Sequence, residues 1–178
     1  MADLIIQPLM DAALACLTAS FGGHSSPPAA FCVRWGDHGG PSLGSTLDEC
    51  CKGLGWVRFT EAAPTDSGAF PGNSERLRHC SSSWTVTLEW GVARCAPVGD
   101  AEVPPTCADW TALQTNGLLD FQALRKAACC LARYKPPDTY DQLYRDLIVR
   151  SITPKGPQGG CAEIVMITVI KVVGCDEC

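Results

Sequence analysis

The sequence is short of positive charge: 14 Lys and Arg stand against 19 Asp and Glu, for a net charge of -5 and a pI near 5.1. A protein that grips nucleic acid through its phosphates needs a basic face, so sequence-specific or tight DNA binding is not expected. An acidic lining past which DNA slides is compatible with the same numbers. No run of ~18 apolar residues occurs, which excludes an expected membrane-spanning helix. The first residues, with Asp3 among them, lack the basic segment that opens a signal peptide, so synthesis in a cytoplasm is expected. Histidine is scarce. His24, His38 and His79 all fall in Gly/Ser/Pro-rich stretches, and none stands in a metalloprotease or nucleophile-elbow motif. Asp37 beside His38 is too local a pair to make a general base. No Gly-rich turn links a strand to a helix, so a dinucleotide or phosphate cradle is not expected either. The expectation is a protein that is not an enzyme, with no catalytic residues, no cofactor and no metal site.

What is present is a globular composition, 46% hydrophobic and 19% charged with a mean hydropathy of +0.06. At 178 residues the chain is read as a single domain over 1–178, large enough to fold without covalent staples. The 12 cysteines are therefore the unusual feature, since cytosolic proteins seldom carry so many. Cys175 and Cys178 have the C-x-x-C spacing of a metal or redox pair. No second C-x-x-C completes a four-ligand pattern, and adjacent cysteines such as Cys50 and Cys51 rarely share one zinc. Late-formed disulfides and free thiols are the competing fates, and Cys95 with Cys107, flanking one Pro-rich loop, is the first pair to test. Cys16, on the apolar face of a helix, reads as a small buried hydrophobe.

The stretch with least freedom is Ser83 to Cys95. Trp84, Val86, Leu88, Trp90 and Val92 alternate with Thr85, Thr87, Glu89, Gly91 and Ala93, the period-2 pattern of a half-buried strand. Its tryptophans are expected to floor the core, and its Thr and Glu to face solvent or a neighbouring chain. Leu9 to Phe21 carries helical spacing, with Pro8 tolerable in the first turn. Phe31 to Trp35 and Leu54 to Ala63 read as strands, with Arg58 and Glu61 facing outward. Residues 64–80, rich in Pro and Gly, read as an exposed loop or the arm of a wide hairpin. Thr106 can cap a long helix from Cys107 to Tyr134, on which Trp110, Leu113, Gly117, Phe121, Leu124, Ala128 and Leu131 form one stripe through Gly117.

One helical turn is expected over Tyr140 to Asp146, then a strand over Leu147 to Ile152. Residues 153–160 follow as a tight hairpin tip, then a β-branched strand over Cys161 to Val173. The last strand is apolar on both faces, so it is either central or completed by another subunit. The fold class expected is α+β: a mostly antiparallel mixed sheet of about five strands packed with two main helices. Two arrangements of its layers are open, one with a helix on each face of the sheet and one with a face left for a neighbouring subunit.

The motifs DECCxGLxWVR (Asp48 to Arg58), WTVTLEWGVARCAP (Trp84 to Pro97), PTCADW (Pro105 to Trp110), ALRKAACCL (Ala123 to Leu131), GPQGGC (Gly156 to Cys161) and the terminal CDEC (Cys175 to Cys178) together resemble a family of small virion proteins. These are the tail terminator or neck proteins of long-tailed, siphovirus-type phages of actinobacteria. The resemblance implies a tail-terminator-like subunit made in the host cytoplasm that forms a homohexameric ring in the virion. Such a ring caps the tail tube, ends its polymerisation and offers the head-tail joining surface to a connector or stopper protein. DNA passes through the ring without sequence-specific binding. Another neck role, in head completion, as a stopper or as a connector, fits the same features, and a metal-binding or thiol-redox protein is the alternative of a different class.

Overall fold

The structure, a computed structural model, describes residues 6–35, 50–65, 83–97, 99, 104–134, 144–158 and 160–173. Among them are two long helices, α1 (Ile6–Ser20) and α2 (Cys107–Arg133), and five strands: β1 (Ala30–Arg34), β2 (Leu54–Thr65), β3 (Ser83–Cys95), β4 (Tyr144–Gln158) and β5 (Cys161–Val173). The strands form one sheet in the order β1-β2-β3-β5-β4, the α+β fold expected. Only β1 and β2 pair in parallel; every other neighbour is antiparallel. The segment between β1 and β2 is long enough for the crossover that parallel pairing requires.

Both helices lie on the same face of the sheet. α1 packs over β1 and β2, α2 over β3, β4 and β5, and the two helices pack against each other. An arrangement with the two main helices on opposite faces is thus ruled out. Beneath the helices Val57, Val86, Leu88, Trp90, Val92, Met166, Ile170 and Val172 form the floor, and Leu9, Leu17, Leu124 and Leu131 the ceiling. A bulge between Phe59 and Glu61 adds one residue to β2, so the helix-facing series runs Val57, Phe59 and then Ala62. Pro8 falls in the first turn of α1, where its missing N–H costs nothing.

The opposite face is also covered. Cys50, Leu54, Trp56, Ala93, Cys161 and Val165 make a second apolar cluster there. β5 lies between β3 and β4, and it buries side chains on both faces within the chain, Met166 and Ile170 on one side and Val165 and Val169 on the other, with Ile167 half-buried between the latter two. The central reading of that strand therefore holds. Arg58 and Glu89, expected in solvent, are instead buried and joined by a 2.9 Å bond from Arg58 Nη2 to Glu89 Oε2. Period-2 alternation marks the two faces of a strand, but it cannot reveal that a polar face carries its own internal ion pair.

α2 runs unbroken through Gly117, as its stripe requires, and a Cβ at that glycine would come to 3.3 Å from Ile164 Cδ1. Thr106 caps it in a reciprocal capping box with Asp109. The strand after it differs from expectation at both ends. Tyr144 to Asp146 are strand rather than a helical turn, and β4 extends through Gln158, so most of the expected 153–160 tip is paired with β5. β4 has three register shifts, the last of which, between Lys155 and Gln158, takes in Pro157, while Pro154 stays in register with Ile164; an edge strand tolerates both prolines because one side of its backbone has no partner in the sheet. Residues 66–80 of the expected loop, the 140–143 segment and the terminal CDEC lie outside the described residues.

Candidate functional site

Of the three histidines, His24 alone falls within the described residues, and its place is not an exposed loop. Its side chain is 4% exposed, in the turn after α1, against the ring of Phe21. Nδ1 accepts the Ser26 N–H at 3.0 Å, which assigns the neutral ring's proton to Nε2. Nε2 is turned inward, 3.2 Å from Asp120 Oδ1 but off the line of a hydrogen bond. Neither nitrogen is presented to a substrate, so His24 works as a strut.

Asp120 is the centre of that strut. It is 1% exposed on α2 and receives a two-pronged bond from Arg94 at the end of β3, Nε to Oδ2 at 2.9 Å and Nη2 to Oδ1 at 2.6 Å. The carboxylate thus ties α2 to β3, and His24 of the turn after α1 lies beside it. The fork of a guanidinium matches both oxygens, the geometry in which such a pair is strongest. Sequence reading overlooked this residue, although the signal was there: Asp120 shares helical spacing with Leu124, Ala127 and Leu131, all buried.

The same shift in register changes the role of the first half of α2. Its buried residues begin at Asp120, while Trp110, Leu118 and Phe121 of the expected core stripe and its surroundings are 41%, 58% and 36% exposed. Between this half-helix and the far end of the β4–β5 hairpin lies a groove of about 710 Å³, walled by Trp110, Leu113, Phe121, Ile152, Pro154 and Ile164. The edges of the sheet add further exposed apolar side chains. On β4 these are Ile148 and Val149; at β1 they are Val33 and, just beyond it, Trp35, which stacks on Phe59 with 80% of its surface open.

The cysteines are sorted by the topology. Cys16 joins Cys130 across the α1–α2 contact, so Cys16 is a cross-link rather than a hydrophobe. Cys50 joins Cys161 and Cys51 joins Cys95, which corrects the expected Cys95–Cys107 pair. Cys107, at the start of α2, is exposed and free, as is Cys129; Cys32 is free and half-buried. With those bonds closed, no group of three or more His, Cys, Asp or Glu among the described residues is arranged to hold a metal ion. No described helix is long and apolar enough to cross a membrane. His38, His79, Cys80, Cys175 and Cys178 lie outside the described residues.

No protein-family model matches the chain, and no curated protein matches it in sequence.

Proposed function

We propose that the chain is a structural virion protein of the neck of a long-tailed phage, a tail-terminator-like subunit that forms a ring on the tail tube. In this reading the ring ends tube polymerisation and presents the head-tail joining surface to a connector or stopper protein, with DNA passing through its centre. The supporting observation is the placement of exposed apolar side chains at opposite edges of one sheet: Val33 and Trp35 by β1, Ile148 and Val149 on β4. Two different patches on opposite sides of a subunit suit a head-to-tail contact, and head-to-tail contacts close into rings when their rotation allows. Among the described side chains Trp35, 80% exposed, has the most apolar surface left for a neighbouring copy to cover. A net charge of -5 agrees with a channel that lets DNA pass rather than binding it.

The test is sedimentation and negative-stain imaging of the purified protein, alone and mixed with tail tubes. Rings seated on tube ends are expected, and Trp35→Asp and Val149→Asp should each give folded monomers by circular dichroism. A protein that stays monomeric with and without tubes overturns the proposal. Rings that bind a connector but ignore tubes would move the subunit to another position in the neck.

A further inference from the structure

Four cysteines from three separate segments meet at one end of the sheet. The antiparallel register of β3 and β5 sets Cys95 directly opposite Cys161. Both share the strand parity of Ala93 and Val165, which lie in the cluster on the face away from the helices, so their side chains leave the sheet on the same side. Above them sits the helical turn that carries Cys50 and Cys51, closed by the Gly53 N–H donating to the Cys50 carbonyl at 3.0 Å. Cys50 reaches Cys161 with Cα atoms 5.9 Å apart, and Cys51 reaches Cys95 with Cα atoms 4.1 Å apart.

We propose that Cys50, Cys51, Cys95 and Cys161 form a redox-dependent tetrathiolate site, two disulfides when oxidised and one zinc-class divalent ion when reduced. Four thiolates around such an ion sit at ~2.3 Å from it and therefore roughly 3.7 Å from one another. Within each pair the sulfurs would open by about 1.7 Å from bonded contact, and the two adjacent pairs would close on one another around the ion. Adjacent cysteines usually fail to share a metal because their side chains diverge. Here Cys50 and Cys51 diverge toward Cys161 and Cys95, which stand directly opposite each other on hydrogen-bonded neighbouring strands, so the two disulfides are adjacent.

Access favours the same chemistry. Cys50 is fully buried and Cys161 is 7% exposed, while Cys51 and Cys95 are open and line a cleft of about 590 Å³ with Ser26, Arg94, Asp109 and Asn116. A small reductant and a hydrated metal ion can therefore reach the outer pair first. Each disulfide takes two electrons and two protons from a dithiol, which leaves as its own disulfide. The four thiols then release four protons as four metal–sulfur bonds form, leaving the site with a charge of about -2. Reoxidation by two equivalents of a small disulfide withdraws four electrons, two to each equivalent, which leaves as its thiols; both S–S bonds are rebuilt and the ion is set free. This assignment is independent of ring formation.

The experiment uses the full chain reduced with a phosphine under anaerobic conditions and titrated with Co²⁺ as the probe. One Co²⁺ per chain is expected, with the visible bands of tetrahedral thiolate coordination, displaced by Zn²⁺. Cys51→Ser with Cys95→Ser should abolish those bands. Cys16→Ser with Cys130→Ser, and Cys175→Ser with Cys178→Ser, should leave them intact. Oxidation of the zinc form should release the ion to a colorimetric chelator and yield peptides cross-linked 50–161 and 51–95. Circular dichroism follows the fold throughout: a reduced chain that unfolds and regains its spectrum with Co²⁺ supports the site. Absence of stoichiometric binding, whether the reduced chain is folded or not, overturns it, as does a tetrahedral spectrum that survives the Cys51/Cys95 double substitution.

Discussion

Gly91 on β3 stands opposite Trp56 on β2, and the indole occupies the space that a side chain at 91 would need. A Cβ there would lie 2.0 Å from the indole Cζ2, and Trp56 is fully buried, so neither partner can give way freely. Gly91→Ala is expected to lower stability by ~1–3 kcal/mol, the usual cost of overpacking. Trp56→Leu added to it should recover part of the loss. Denaturant melts followed by tryptophan fluorescence test this, and an unchanged midpoint for the single variant contradicts it.

Trp90 donates its indole N–H to Thr168 Oγ1 at 2.8 Å beneath the helices, where both residues are wholly buried. Thr168→Val keeps the shape and strands the N–H, a loss of ~1–3 kcal/mol. Trp90→Ala removes the packing as well and should cost ~3–5 kcal/mol. Thermal and urea unfolding of the two variants should rank them in that order.

Asp120 takes both prongs of Arg94 in the interior. Asp120→Ala leaves the guanidinium without that acceptor and is expected to cost ~3–5 kcal/mol. Arg94→Met combined with Asp120→Leu should be less damaging than the two single losses added together, because neither charge is then left alone. A double-mutant cycle that comes out additive would deny the coupling.

The capping box makes the start of α2 sensitive to acid. The Thr106 hydroxyl and backbone N–H both donate to Asp109 Oδ2, which holds the carboxyl below its ordinary value of 3.8. A folded pKa below the unfolded one means stabilisation that is complete above the unfolded value and fades as pH falls through the lower, folded value. Helicity should therefore drop on acidification below about pH 4, and Asp109→Asn should remove that component of the titration. Circular dichroism against pH for the two proteins makes the comparison; parallel curves would rule out the cap as its origin.

Much of the fold was legible because it depends on local periodicity. The alternation through Trp84 to Val92 specifies a strand, the three-and-four spacing through Gly117 specifies one long helix, and Thr106 with Asp109 specifies where that helix begins. The same patterns mislead where the outcome depends on what lies across from a residue. Phe121 reads as core, yet it is 36% exposed while the neighbouring Asp120, which the stripe left out, is buried. Arg58 and Glu89 read as solvent-facing on their own strands, and only the β2–β3 register makes them partners.

The candidate sites follow the same division. Their residue types, apolar side chains on β4 and near β1 and an excess of cysteine, were visible in the sequence. Which cysteines meet was not, since Cys50 and Cys161 lie 111 residues apart and Cys51 and Cys95 lie 44 apart. What the sequence by itself determined is the main helices and strands and most of their ends, β4 excepted, because backbone propensity, capping and hydrophobic period act within a few residues. Only the tertiary structure decided that both helices share one face, that β5 is central and that Cys95 faces Cys161, because strand order and register are set by contacts between segments far apart in the chain.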